Sequence, residues 1–259
     1  MHKAPRLMHA ALLAVAVSAA ATACASSGSP TNSPGTPGTA AITKPATATS
    51  HKAVAGPLAG RTATQVINRA WADTEAAETV RIKGMTGDSG ESETFDLVLV
   101  HGKGCAGSIS DSKVGSFKLV YNGTSVWLLP DKGFYQSQKV PADAMAILNG
   151  KYLKMKATSY GLGAMAAVCT LTKLLGGFTS ASAAGSIRET TSIDGRSALK
   201  FADAGDSAYL AVSDTASPKL LRLQAPGSGG GSIDFSYPAA TSITAPPASQ
   251  VVDGSKYGF

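Results

Sequence analysis

Three features of the 259-residue chain bring together residue types that could do chemistry. The first is Gly87-Asp88-Ser89-Gly90, which could frame a serine nucleophile. Such a serine needs a histidine base within hydrogen-bond reach and an acid to orient it. Beyond residue 24 the histidines are His51 and His101 alone. Neither stands in the context of such a base, and the chain before Ser89 is too short to build the first barrel of such an enzyme. A Gly/Asp/Ser hairpin turn accounts for the tetrapeptide better. The second is Gly102-Lys103-Gly104-Cys105-Ala106-Gly107, a G-x-G-x-x-G after an apolar run. In a dinucleotide site these glycines open a helix whose N-terminus holds pyrophosphate. Here Ser108 to Leu119 shows strand period and turn residues, which predicts a tight hairpin with a bulge. Asp203, Asp206 and Asp214 fall in predicted turns, and two histidines with scattered carboxylates give no metal-ligand cluster. The expectation is a protein that is not an enzyme, with no catalytic residue, no cofactor and no metal.

The third feature is the set of three cysteines, Cys24, Cys105 and Cys169. Residues 1–9 carry Lys3 and Arg6 and no acid, and Ala10 to Ala20 is an unbroken small-apolar run. A basic start, a short apolar stretch and small residues at its end define an export signal. The run is short of the ~20 residues needed to span a bilayer. Ala21-Thr22-Ala23 then meets Cys24. This resembles the bacterial lipobox of an aliphatic residue, two small residues and Cys, with Ala21 standing where Leu is usual. Cys24 is therefore expected to be the mature N-terminus, carrying a diacylglycerol thioether. The alternative is a secreted protein with a free N-terminal thiol. Cys105 and Cys169 remain, and an even pair in an exported protein reads as a disulfide. It would close a loop of 64 residues, worth about 4 kcal/mol in the chain-entropy treatment. The alternative is two unpaired buried thiols.

These cysteines divide the chain into a signal peptide (1–23), a lipidated tether (24–55) and a folded domain (56–259). The tether is rich in Ser, Thr, Pro, Gly and Ala and cannot bury a core. As a flexible coil its 31 residues after Cys24 would average roughly 30 Å end to end. The expected location is the extracytoplasmic face of the cell membrane, lipid-anchored. Lys+Arg outnumber Asp+Glu by 23 to 17, a formal +6, and removing Lys3 and Arg6 leaves +4. The remaining cations are scattered. A nucleic-acid protein would gather them in a stripe with aromatic platforms, so no nucleic-acid partner is expected.

The elements of the domain follow from period. Val66, Ile67, Ala70, Trp71, Thr74 and Ala77 recur at helical spacing, which predicts an amphipathic helix over 62–79, capped by Thr62 or Thr64. The period then becomes two. Val80/Ile82 and Phe95/Leu97/Leu99 predict hairpin partners around the Gly87–Glu91 turn. Cys105, Gly107 and Ile109 follow on one face. Phe117, Leu119 and Tyr121 lead into Asn122-Gly123, a strong hairpin signal. Val126 to Leu129 and Gly133 to Gln136 add strands. Short and long helices are predicted over 141–148 and 159–175, the second apolar nearly all round and so buried. Strands resume at Ser186–Ile193, Ser197–Phe201, Tyr209–Val212, Leu220–Leu223 and Ile233–Tyr237. About ten short strands with few crossover helices predict an α+β domain, with one curled antiparallel sheet and the helices on one face.

The order of lipobox, Ser/Thr/Pro tether, amphipathic helix, strands, buried helix pair and more strands resembles the LppX/LprG group of actinobacterial lipoproteins, related in fold to the LolA/LolB carriers. Gly102–Gly107, Tyr209–Val212, Pro218-Lys219-Leu220-Leu221-Arg222, Ile233-Asp234-Phe235-Ser236-Tyr237 and above all Ile243-Thr244-Ala245-Pro246-Pro247-Ala248 carry the likeness, across roughly residues 60–253. It implies a half-barrel whose concave face is closed by helices over an apolar cavity for acyl lipids or lipidated partners, with no catalytic residue to carry over. Ile67, Trp71, Phe95, Leu97, Leu99, Leu162, Met165 and Val168 would line that cavity. The alternative is a filled core, in which the same residues pack on one another and the anchored domain acts through a protein partner. The small residues Gly161, Gly163, Ala164, Ala166 and Ala167 favour room above the sheet.

Overall fold

The structure is a computed structural model and describes residues 56–88, 90–158, 167–175, 187–202, 207–225 and 230–257. The first helix, α1 (Ala63–Glu75), begins where expected. The Thr62 hydroxyl accepts from the Gln65 amide at 3.2 Å, and the Gln65 side chain accepts from the Thr62 amide at 2.9 Å. This reciprocal box satisfies two helix-end donors at once. Val66, Ile67, Ala70, Trp71 and Thr74 form the buried stripe.

Among the described residues twelve strands follow: β1 (Thr79–Asp88), β2 (Glu91–Val100), β3 (Gly104–Asp111), β4 (Gly115–Tyr121), β5 (Ser125–Pro130), β6 (Tyr152–Lys156), β7 (Ile187–Ile193), β8 (Arg196–Ala202), β9 (Tyr209–Ser213), β10 (Leu220–Ala225), β11 (Gly231–Ser236) and β12 (Val251–Asp253). They make one curled, open sheet in the order β12-β6-β5-β4-β3-β2-β1-β11-β10-β9-β8-β7. Every pair is antiparallel except β12 on β6, which makes the sheet mixed. The expectation of an α+β fold on one curled sheet holds. Two strands went unforeseen, β6 and the three-residue β12. Gly133–Gln136, expected as a strand, lies instead in helix α2 (Lys132–Ser137). Asp131 decides this: its carboxylate accepts from the Phe134 amide at 2.7 Å and caps a helix start. Helix α3 (Ala142–Leu148) matches its prediction.

Strand register explains why one face of the sheet is the core. Phe201, Leu210, Leu223 and Ile233 stand side by side on β8–β11. Phe235, Ile82, Leu97, Gly107, Leu119, Leu128 and Leu153 continue that face across β11 and β1–β6. All but Gly107, which has no side chain, belong to one buried cluster that includes the apolar residues of the α1 stripe. Side chains alternate across a strand, so the outward face takes the charges. There Arg81 holds Asp96 through bonds of 2.7 and 2.6 Å, and Arg222 pairs with Asp234.

Helix α1 is fastened to the sheet by a buried polar knot. The Leu220 amide donates to Thr74 Oγ1 at 2.9 Å, and Tyr237 Oη donates to the Leu220 carbonyl at 2.7 Å. Tyr237 has one hydroxyl proton, so the 2.9 Å bond between the two hydroxyls is donated by Thr74. Burial drives the Tyr237 hydroxyl above its ordinary pKa range. A bulge in β10, with Leu221 as the extra residue, brings Leu220 to this knot and turns Leu221 to a small outward cluster with Ile193, Ala198 and Ala211.

The expected long helix over 159–175 is described only at its end. Helix α4 (Leu171–Leu175) is preceded by a break at Cys169–Thr170, where the disulfide to Cys105 attaches. The two Cα atoms lie 5.2 Å apart, within the usual disulfide span. The long-helix stretch 159–166, with Leu162 and Met165, lies outside the described residues, as do Cys24 and the tether. Among the described residues, no helix is long and apolar enough to cross a membrane.

Candidate functional site

The core face is not covered evenly. Helix α1 stops at Glu75, its end closed by Ala76, and β1 starts at Thr79. The first apolar position of β1, Val80, and its partner Leu99 near the end of β2 therefore lie beside this end of the helix. Val80, Leu99, Cys105 and Tyr121 form one register row across β1–β4 at this end of the sheet. Cys169 is tied to Cys105, so the segment Cys169–Thr172 is held opposite α1. Between them lies a recess of about 350 Å³.

Its floor is Val80, Leu99 and Tyr121, and its far wall is Cys169, Thr170, Leu171 and Thr172. Glu75 and Ala77 at the α1 end form the near wall, and the β2–β3 turn with His101, Gly102 and Gly104 forms the rim. The glycines of the G-x-G stretch are needed here for space. Gly104 sits at φ 122, and a Cβ there would collide with the Tyr121 carbonyl oxygen. Gly107 likewise lets β3 close on β2, where a side chain would strike the Asp96 carbonyl. The stretch forms a hairpin as expected, and the β2–β3 ladder runs from Glu93/Asp111 to Val100/Gly104 without the expected bulge. The Tyr121 hydroxyl donates to the carbonyl of Gly123, another lining residue, at 3.1 Å. Val80, Leu99, Tyr121, Cys169 and Leu171 thus make an apolar pocket with a few polar groups at its edge, the usual make-up of a small-molecule site.

Of the residues expected to line a cavity, Leu99 does so while remaining a buried member of the core cluster. Ile67, Trp71, Phe95 and Leu97 are packed in the core: the Phe95 ring tip reaches the space a Gly84 side chain would occupy, and Leu97 is 0% exposed. Val168 is half-buried against that core. Glu75, Ala77, Tyr121, Leu171 and Thr172 were not foreseen. The available signal was the end of the α1 stripe at Ala77, one turn short of Val80.

A second cleft of about 430 Å³ lies on the outward face. Val98, Ala106 and Val120 are among its lining, with the Arg81–Asp96 pair, Lys118 and Tyr152 around them. The Arg81 guanidinium bonded to Asp96 holds that carboxyl below the usual carboxylate range. Among the described residues, no group of three or more His, Cys, Asp or Glu side chains could hold a metal ion.

No protein-family model and no curated protein matches the chain. Among solved structures it is similar to the Mycobacterium tuberculosis lipoprotein LppX, at 11% identity over 70% of this chain and 98% of that one, with a TM-score of 0.44. It is also similar to an uncharacterized conserved protein from Thermus thermophilus, at 11% identity over 74% of this chain and 98% of that one, with a TM-score of 0.33.

Proposed function

We propose that this protein is an exported, lipid-anchored binding module that takes a lipid or another long apolar ligand into the recess, without turnover. The observation that carries this reading is the recess itself. It is apolar, it lies on the core face, and among the described residues it opens beside the end of α1. Transferring an acyl chain from water into such a site is worth on the order of 0.8 kcal/mol per methylene, so affinity needs no special residue. The lipobox-like Ala21-Thr22-Ala23-Cys24 supplies the anchor, and the tether gives the domain reach from the bilayer. The reading includes carriage of the ligand across the cell envelope, for which that reach would serve.

Native mass spectrometry of the full chain bearing Cys24→Ser, followed by lipid extraction, tests the binding. A reproducible mass excess that extracts as acyl lipid is expected; an apo mass with no uptake of added lipid would overturn the reading. Anchoring is tested separately with Cys24→Ala. The variant is expected in the medium, and retention in the membrane would count against the anchor.

A second reading has its own support. Ile67, Trp71, Phe95 and Leu97 fill the middle of the core face, as an interaction module acting through a protein partner would have it. The apo outcome above favours it.

A further inference from the structure

Strands β1–β6 sort their charges by face. Arg81, Lys83, Lys118, Lys154 and Lys156 fall on the outward alternation, opposite to Ile82, Leu119, Leu153 and Met155. The acids Glu91, Glu93 and Asp111 share the alternation of Phe95 and Leu97 instead. Asp96 is the acid that stands among the outward cations, and Arg81 holds it through two bonds. On the neighbouring strands, Asp234 of β11 is taken by Arg222, and Asp253 of β12 stands beside Lys154. Among the described residues, the lysine ion pairs are those of Lys113 with Glu91 and Lys200 with Glu189. Lys83, Lys118, Lys154 and Lys156 are exposed and make none.

Between these cations the face is apolar. One register row runs Arg81, Val98, Ala106, Val120, Trp127, Lys154. Val98, Ala106 and Val120 are half-buried, and they line the outward cleft with Lys118, Ser108 and Tyr152. Trp127 is buried, with the Lys154 ammonium over its ring at 5.9 Å from the centre. Met85, 55% exposed, lies on the same alternation of β1. Helices α1, α2 and α3 bury Trp71, Phe134, Tyr135 and Leu148 on the other face, in the core cluster. Lysines around an apolar strip with Trp and Tyr suit the headgroup region of an anionic bilayer. Their ammonium groups can reach phosphates while stems and rings lie against the less polar layer beneath.

We propose that the outward face of β1–β6 is a docking surface for an anionic bilayer, with headgroup phosphates among Lys83, Lys118 and Lys154 and the Val98–Ala106–Val120 strip laid against them. A tethered domain would then rest on the membrane in a fixed orientation. This docking is separate from the recess, which lies on the core face, and from the anchor at Cys24.

Vesicle sedimentation of the full chain bearing Cys24→Ser, which has no anchor, tests it. Phosphatidylglycerol/phosphatidylcholine vesicles should carry the protein down, and phosphatidylcholine vesicles should not. High salt should release it. Lys83→Gln/Lys118→Gln/Lys154→Gln should lower the partition about a hundredfold, the loss of three cations near a charged surface. Lys103→Gln/Lys132→Gln/Lys173→Gln removes as much charge away from this face and should lower it far less. Urea midpoints of the three chains should agree, because exposed charges contribute little to stability. Equal losses from the two triple variants would overturn the proposal, as would equal sedimentation of the parent with both vesicles or with neither. Tighter binding to soluble polyglutamate than to the vesicles would make the face a site for an acidic protein and overturn the bilayer. Each of these outcomes leaves the recess untouched.

Discussion

The middle of the core face and its β1–β4 end are built from the same strands and the same kind of residue, yet one is solid and the other open. In the middle, Ile82 and Leu97 are fully buried in the cluster that holds the α1 stripe. At the end, Val80 and Leu99 continue the same alternation and belong to the same buried cluster, but they also line a recess. The difference lies above the sheet. A 13-residue helix covers only part of twelve strands, and the described segment beyond it is tied by a disulfide, with Val168 and Leu171 packed on the core cluster. Hydrophobic pattern makes a face; the length and placement of the covering element decide whether that face is core or site.

The largest expected effect comes from removing the covalent tie at the open end. Cys105→Ala/Cys169→Ala should cost about 4 kcal/mol for a 64-residue closure. It should also raise protease sensitivity around residues 169–172, while cleavage within α1 stays unchanged. Denaturant unfolding with limited proteolysis would show it, and a loss spread evenly over both regions would erase the contrast.

Truncation should cost more in the solid region. Leu97→Ala is expected to destabilise by about 3 kcal/mol, because a fully buried leucine leaves a cavity. Leu171→Ala, half-buried at the recess wall, should cost less than about 1 kcal/mol. Urea midpoints for the two variants measure the ratio, and equal losses would mean that the recess is closed in solution. Leu171→Trp sharpens the same point: it should keep the midpoint and block uptake of an apolar probe.

The knot between α1 and β10 belongs to the solid region and should give an intermediate effect. Thr74→Val removes the hydroxyl that the buried Leu220 amide needs. It should cost about 1–3 kcal/mol, the penalty for an unmet buried donor. Amide exchange should quicken at Leu220 and along α1, and a loss confined to β1–β4 would contradict this placement.

How much of this was legible in the sequence depends on which interactions fixed each part. The α1 stripe, the two-residue alternation from Val80 to Leu129 and the Asn122-Gly123 turn are local signals, and the structure follows them. Asp131 overrode the alternation at Gly133–Gln136 because a helix cap is also local and stronger there. β12 was invisible because a three-residue parallel pairing draws on a partner about a hundred residues away, and β6, paired to β5, carries an alternation of only two inward residues, Leu153 and Met155. The open end was hidden for the same reason: it depends on where α1 stops relative to strands it does not adjoin in sequence. Pattern placed Ile67, Trp71, Phe95 and Leu97 on the right face, and packing then made them core.

The smallest expected effect lies on the outward face. Asp96→Asn removes an exposed ion pair and should cost less than about 1 kcal/mol at neutral pH. The folded-state pKa of Asp96 is depressed, so this contribution is present above the unfolded pKa and is lost as pH falls through the folded value. Parent and variant midpoints should converge in acid. Divergence there would mean that the pair couples to the core.

The most direct test of the central claim is a methyl-resolved NMR titration of the full chain bearing Cys24→Ser with a single-chain amphiphile. The account predicts saturable shifts at Val80, Leu99 and Leu171, with Ile67, Ile82 and Leu97 unmoved. Shifts centred on Ile67, Ile82 and Leu97, or none anywhere, would contradict it.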